Sequence, residues 1–251
     1  MILIGFSIRS YILHKRKNIE LENAKTEFLS LAAHYSMTPL AIIRGNISEL
    51  LTPEASSWSK SQINSRYLNI ETSSTRLLIL LQNIMIISAI EQGSMKISLH
   101  TSSLTDLIDN CIASFHHLAL KQQITIKFNR PSGMNSVMAE IDQEKLRQSL
   151  TNIIDNSIKF TKSGGAINVN LTEDQTKYQI DVADSGIGIS KNEMGDLFTR
   201  FHRGTSYLNF DYEGVGLGLY IAKYLIEANG GRIYVSSEKN RGTCVTILLP
   251  K

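Results

Sequence analysis

Tyr178-Gln-Ile-Asp-Val-Ala-Asp184-Ser-Gly-Ile-Gly188 decides how this chain is read. Side chains of a strand alternate between its two faces, so Tyr178, Ile180, Val182 and Asp184 share one side, and a carboxylate closes an apolar floor. Gly186 and Gly188 follow, where the missing side chains let the backbone turn sharply beside a ligand. An acceptor-only group at the edge of an apolar slot suits a flat base bearing an amino group, such as adenine. Asp-x-Gly-x-Gly also occurs in ordinary turns, so the flanking segments decide between the two readings.

Upstream, Asp142 to Phe160 has helical periodicity, with Leu146, Leu150, Ile153, Ile154 and Ser157 as its buried stripe. Asn152, Asn156 and Lys159 fall together on the opposite side at i, i+4 and i+7. Asparagine is a poor helix former, so two of them within one helix need a reason beyond a solvated face. Uncharged side-chain oxygens beside an amine can ligate Mg2+ and contact phosphate together, because Mg2+ keeps several waters and takes few protein ligands. Downstream, Gly214-Val-Gly216-Leu217-Gly218-Leu219 opens a helix that stops at Asn229-Gly230-Gly231. Glycines at a helix start let backbone N–H groups approach a phosphate. A dinucleotide fingerprint would need a parallel strand–helix–strand unit before it. The polar, aromatic stretch His202 to Glu213 stands there instead, and reads as a mobile lid with Arg203 as a phosphate contact.

Working outward, Ser103 to Lys121 reads as one capped helix, and strands are expected at Ile124–Phe128, Ala166–Leu171, Lys177–Asp184, Arg232–Ser236 and Thr243–Leu249. Hairpin-connected strands with helices between them predict an α+β sandwich with the helices on one face of the sheet. Before it lie two amphipathic helices, about Glu20 to Leu51 and about Ser61 to Glu91, separated by the break Thr52-Pro53-Glu54 through Lys60. Counting about 100° per residue puts Phe28, Leu29, Ala32, Ile43, Ile47 and Leu50 on one arc of the first helix. Leu68, Leu77, Leu78, Leu81, Ile84, Ile87 and Ile90 serve the second. Such a hairpin has more apolar surface than it can cover, and pairing with a second copy into a four-helix bundle would bury it. The expected organisation is 1–19 as a lead-in, 20–95 as the helical hairpin and 96–251 as the α/β domain.

The 251 residues are 42% hydrophobic and 20% charged with 16 Gly and 4 Pro, which excludes disordered and collagen-like classes. A net charge of +3 implies no nucleic-acid partner. Cys111 and Cys244 offer neither a disulfide framework nor a zinc site, in keeping with a reducing compartment. Residues 1–13 are apolar but interrupted by Arg9 and shorter than the roughly 20 needed to span a bilayer. His14-Lys15-Arg16-Lys17 follows at once, the pattern of the cytoplasmic end of a membrane helix. The segment is therefore read as the stub of a membrane tether, against a soluble amphipathic lead-in.

Taken in order, Asn152-Ile-Ile-Asp-Asn156-Ser-Ile-Lys159-Phe-Thr161, Asp184-Ser-Gly-Ile-Gly188, Phe198-Thr-Arg-Phe201 and Gly214-Val-Gly-Leu-Gly-Leu219 resemble the four ATP-binding boxes of sensor histidine kinases. Lys25-Thr-Glu-Phe-Leu-Ser-Leu-Ala-Ala-His34-Tyr-Ser-Met-Thr38-Pro39-Leu40 resembles the phosphoacceptor segment of the same family. Gly242-Thr243 with Leu249-Pro250 is similar to its closing strand. The resemblance implies a catalytic ATP-binding domain of the gyrase/chaperone/histidine-kinase/mismatch-repair type behind a dimeric phosphotransfer hairpin. It implies that Asn156 holds Mg2+, Asp184 binds the adenine amine, Asn152 and Lys159 line the phosphate side, and Gly214, Gly216 and Gly218 form the hinge of the lid. It further implies that His34 takes the γ-phosphoryl group of ATP and passes it to an aspartate of a response regulator, with Thr38 positioning water for dephosphorylation of that partner. On the 100° count His34 points away from the apolar arc, with Thr38 one turn on.

The chain departs from that pattern at Tyr35 and Met37, where such kinases carry an acidic and a basic residue, which bears on how His34 is activated. Glu213-Gly214 and Asn229 are smaller departures. Related ATPases place a general-base Glu where this chain has Asn152, which cannot take a proton, so hydrolysis is disfavoured. The remaining alternative is a dimeric ATP-binding module that signals by conformation.

Overall fold

The computed structural model describes residue 30 and residues 32–130, 136–200 and 216–251. The chain divides into two compact units, Met1–Met85 and Ile86–Lys251. In the first, residues 32–50 form helix α1. It ends in a turn where the Thr52 hydroxyl donates to Glu49 O at 2.9 Å, followed by a 3-10 turn at Pro53–Ser57. Proline lacks the N–H that a continuing helix would need, so the break falls there. Helix α2 (Lys60–Glu91) begins with a reciprocal cap: Ser59 N donates to Gln62 Oε1 at 2.9 Å, and Gln62 N donates to Ser59 Oγ at 3.3 Å. Arg66 bridges back to Glu49 at 2.6 Å and lies over the Trp58 ring, which ties the turn together. Met37, Leu40, Ile47 and Leu51 of the α1 side, and Leu68, Leu78, Leu81 and Met85 of α2, are exposed. By length and composition α2 is also apolar enough to cross a membrane.

The second unit is built on a five-stranded sheet of order β2-β4-β5-β7-β6, from β2 (Thr125–Asn129), β4 (Ala166–Glu173), β5 (Lys177–Asp184), β6 (Arg232–Glu238) and β7 (Gly242–Pro250). Ile167, Val169 and Leu171 of β4, Ile180 and Val182 of β5, and Val245, Ile247 and Leu249 of β7 alternate onto one face. There they meet Leu146, Leu150, Ile153, Ile154 and Ile158 of α5 (Gln143–Phe160) and Ala222 and Ile226 of α6 (Gly218–Ala228). The helices thus cover that face, as the α+β sandwich requires. Asp142 caps α5 through Lys145 N at 3.1 Å, and α6 stops at Gly230 with φ +76°.

Two features differ from the sequence reading. The helix expected over Ser103–Lys121 is two, α3 (Leu104–Ser114) and α4 (His116–Lys121), because the chain turns at Phe115. β1 (His100–Ser103) and β3 (Met138–Ile141) form a small antiparallel pair with no counterpart in the reading; each has four residues, too few for a period to register. β2 and β4 pair in parallel, as the helix α5 between them in the chain requires.

Candidate functional site

A cleft opens at the end of β5, between α5, the loop after Asp184 and the start of α6. Helix α5 lends it Ile153, Asn156, Ser157 and Phe160 at i, i+3, i+4 and i+7; Ile187, Ile189, Leu197, Leu219, Val235 and Val245 complete apolar walls around Asp184 and Thr243. The Asp184 carboxylate is fixed from behind. Its Oδ1 accepts from Gly186 N at 2.9 Å and from Thr243 N at 3.1 Å. Burial pushes the Asp184 carboxyl above its ordinary value, and the two backbone donors act against that rise.

The backbone that makes the turn could not carry side chains. A Cβ on Gly186 would lie 2.4 Å from Phe160 O, and one on Gly188, whose φ is +64°, would lie 2.0 Å from Glu238 O. Gly242, φ +97°, backs directly onto Asp184 O, where a Cβ would come within 2.0 Å. Ser237 steadies the rim, accepting from Ile189 N and donating to Gly242 O, each at 2.8 Å.

At the other end of the cleft the N-terminus of α6 rests on α5. Asn152 Nδ2 donates to Gly218 O at 3.3 Å, and a Cβ on Gly218 would sit 3.8 Å from Asn156 Nδ2. Gly216 has φ +72°, and Leu217 is buried at the position that caps α6. The Asn156 amide has no hydrogen bond to any described residue and faces the cleft. No cluster of three acidic, histidine or cysteine side chains exists among the described residues, so a cation here would be held by an amide oxygen, water and its anionic ligand. That donor set fits Mg2+, which dehydrates reluctantly and is commonly bound together with phosphates. Lys159 is on the expected side of α5 but is engaged by Asp155 one turn earlier, which tempers its charge. Arg203 and Gly214, like residues 1–13, Phe28, Leu29 and the segment His202 to Glu213, lie outside the described residues.

His34 and Thr38 belong to the first unit, on α1, and both are exposed. The His34 ring meets the edge of Tyr35 with centroids 5.7 Å apart and planes at 69°, and Met37 is 68% exposed. The sequence reading found Asp184, Asn156 and the glycines, but assigned Ser157 only to the packing stripe and gave Thr243 no part in the site. A periodicity count could have flagged Ser157, which lies between the polar and packed faces of α5. Thr243 becomes visible only through the β5–β7 register, which sets it opposite Asp184.

Comparison with known proteins agrees with this geometry. Residues 141–251 match the family described as histidine kinase-, DNA gyrase B-, and HSP90-like ATPase. The circadian input-output histidine kinase CikA of Synechocystis sp. is 32% identical over 230 residues, covering 90% of this chain but 30% of CikA. The chain thus spans less than a third of that relative's length. Among solved structures, histidine kinase ThkA in complex with response regulator protein TrrA has a TM-score of 0.64 at 23% identity, covering 90% of this chain and 61% of ThkA. Full-length ShkA in complex with AMPPNP gives the same TM-score of 0.64 at 21% identity, covering 88% of this chain and 44% of ShkA. Both likenesses concern the fold. The second unit thus carries the ATPase family that histidine kinases share with DNA gyrase B and HSP90, and along nine-tenths of its length the chain is similar to sensor histidine kinases.

Proposed function

We propose that this chain is the kinase core of a sensor histidine kinase, which uses ATP and Mg2+ to phosphorylate His34 and hands the phosphoryl group to an aspartate of a response-regulator receiver domain. The observation that carries the reading is Asp184, a carboxylate held by backbone N–H groups at the end of an apolar cleft. It accepts a hydrogen bond from the adenine amine while the apolar walls take the faces of the base. The AMPPNP bound to ShkA and the TrrA bound to ThkA support the nucleotide and the partner, respectively.

In this reading Gly186 and Gly188 shape the turn beside the base. Asn152, Lys159 and the Gly216-Leu217-Gly218 start of α6 line the phosphate side, completed by Arg203 and Gly214. Asn156 offers its amide oxygen to Mg2+, which supplies charge neutralisation to the phosphates when bound. A neutral imidazole nitrogen of His34 attacks the γ-phosphorus, the bond to the β–γ bridging oxygen breaks, ADP leaves with that electron pair, and the imidazolium proton passes to solvent. The exposure of His34 supports its reach to both nucleotide and regulator, and Thr38, one turn on, orients water for dephosphorylating the regulator. The core acts as a homodimer through α1 and α2. The basic run after residues 1–13 supports a tether at the cytoplasmic face of the cell membrane.

The test is labelling with γ-labelled ATP and Mg2+. The chain should acquire an acid-labile, base-stable label, and His34→Gln should lose it while binding ATP normally. A His34→Gln protein labelled like the parent overturns the phosphoacceptor assignment.

A further inference from the structure

We propose that Ser237 is a positioning residue that sets the base selectivity of the cleft: it takes the hydroxyl proton of Thr243, so that Thr243 Oγ1 faces the base as an acceptor. The cleft then favours a purine with a 6-amino group over one with a 6-oxo group; the inference rests on the ATP reading of this cleft. The register of three strands brings the residues together. Asp184 of β5 stands opposite Thr243 of β7, and Thr243 stands opposite Ser237 of β6. Two residues along each strand, Val182, Val245 and Val235 are paired in the same way. Side chains two apart share a face, so Asp184, Thr243 and Ser237 form a polar row beside that valine row, on the face that the helices cover. Asp184, Thr243, Val235 and Val245 all line the cleft.

The polarity of the row follows from counting protons. The Ser237 hydroxyl has one proton and two lone pairs. Ile189 N donates to Ser237 Oγ at 2.8 Å and occupies one lone pair. The Gly242 carbonyl, also at 2.8 Å, has no proton to give and receives the one from Ser237. Thr243 Oγ1 lies 2.9 Å from the same Ser237 oxygen, and with that proton committed only the Thr243 hydroxyl can donate between them. Ser237 is then saturated and offers a ligand nothing itself. Thr243 has its proton turned toward β6 and keeps its lone pairs, while its backbone N–H is committed to Asp184 Oδ1 at 3.1 Å. The two neighbouring polar side chains at this end of the cleft therefore present acceptors only. An adenine amine carries two N–H donors and can serve both. A 6-oxo purine sets a carbonyl oxygen against them, a mismatch that is costly away from water. Without Ser237, the Thr243 hydroxyl is free to rotate and can donate to that carbonyl.

The experiment measures calorimetric dissociation constants for ATP-Mg2+ and inosine triphosphate-Mg2+, in which an oxo group replaces the amine. The proteins are the parent chain, Ser237→Ala, Thr243→Val and the double variant. The ratio of the two constants cancels any general loosening of the cleft. The parent should prefer ATP, and Ser237→Ala should reduce that preference about 10-fold. Thr243→Val, which keeps the branched shape but neither donates nor accepts, should reduce it as well. Adding Ser237→Ala to Thr243→Val should change the ratio no further, because Ser237 acts through Thr243. A Ser237→Ala protein that binds both nucleotides more weakly by one common factor overturns the proposal, since that is the signature of a structural role alone. So does a Ser237→Ala effect on the ratio that persists undiminished in the Thr243→Val background. Should Ser237→Ala not fold, Thr243→Val decides with Ser237 intact: an unchanged ratio overturns the proposal. A parent that binds both nucleotides equally overturns it too. A parent that binds neither sinks the ATP reading itself and this inference with it, an outcome distinct from the others.

Discussion

Asp184 combines two opposed demands on one side chain. Burial lifts its pKa, so at neutral pH the folded protein holds an ionised carboxylate in a setting that favours the neutral form. The sign follows directly. A carboxyl whose folded pKa is raised contributes most favourably below its unfolded pKa, and that contribution is lost as pH rises through the folded value. The ionised group thus costs stability under working conditions, a cost that the proposed contact with the adenine amine accounts for. Asp184→Asn retains an oxygen for Gly186 N and Thr243 N but turns an amide donor toward the adenine amine. It should weaken ATP binding by roughly 10-fold or more, the scale of a mismatched buried polar group of about 1–3 kcal/mol, while the thermal midpoint rises. Calorimetry and a melting curve on one preparation read both effects. Undiminished ATP affinity would return Asp184 to the role of an ordinary turn residue.

At the level of elements, the parts legible in the sequence were those governed by local chemistry. Pro53 after Thr52, and Gly230 after Asn229, each mark a helix boundary by a mechanism confined to one turn, and each boundary falls there. The alternation along Tyr178 to Asp184 placed the carboxylate on the face of Ile180 and Val182 before any partner strand was known. What could not be read depends on distant partners. β1 and β3 exist because they pair with each other across α3 and α4, and Thr243 reaches Asp184 only through the β5–β7 register. Asn229 is the clearest case, since the sequence marks it only as an unusual residue before two glycines. In the fold it is buried, accepts from Asp142 N at 2.7 Å and donates to Leu225 O at 2.8 Å, while Asp142 Oδ2 accepts from Ser98 N at 3.0 Å. One amide thus joins the end of α6 to the start of α5 and, through Asp142, to the segment leading into β1. Asn229→Ala removes the acceptor of a buried N–H and should lower stability by about 1–3 kcal/mol in urea denaturation, with ATP affinity changed much less. An unchanged midpoint would mean that water replaces the amide at no cost.

At the scale of the molecule the argument turns on apolar surface that one hairpin leaves open. Counting about 100° per residue along α2, Ser73, Leu80 and Ile87 share one side. All three are buried. Tyr67, Leu78, Leu81 and Met85 lie roughly opposite, and they are 58%, 60%, 46% and 71% exposed. The helix thus has two apolar faces, one of which is covered. On α1 the exposed Leu40 and Ile47 also share an arc, about half a turn from His34, so covering that arc leaves His34 reachable. A membrane would demand an apolar surface on all sides, whereas α2 begins Lys60-Ser61-Gln62 and carries Asn64, Arg66, Asn69 and Glu71 along its first half. A second copy satisfies both faces, in the self-complementary arrangement that a two-fold axis gives. The chain should therefore scatter light as a dimer at micromolar concentration. Leu78→Glu should convert it to a monomer without loss of ATP binding per chain, because Leu78 is largely exposed in the single chain and belongs to the first compact unit, whereas Asp184 belongs to the second. A parent chain that is already monomeric, or a Leu78→Glu protein that remains fully dimeric, would mean that this arc is not the surface on which two copies meet.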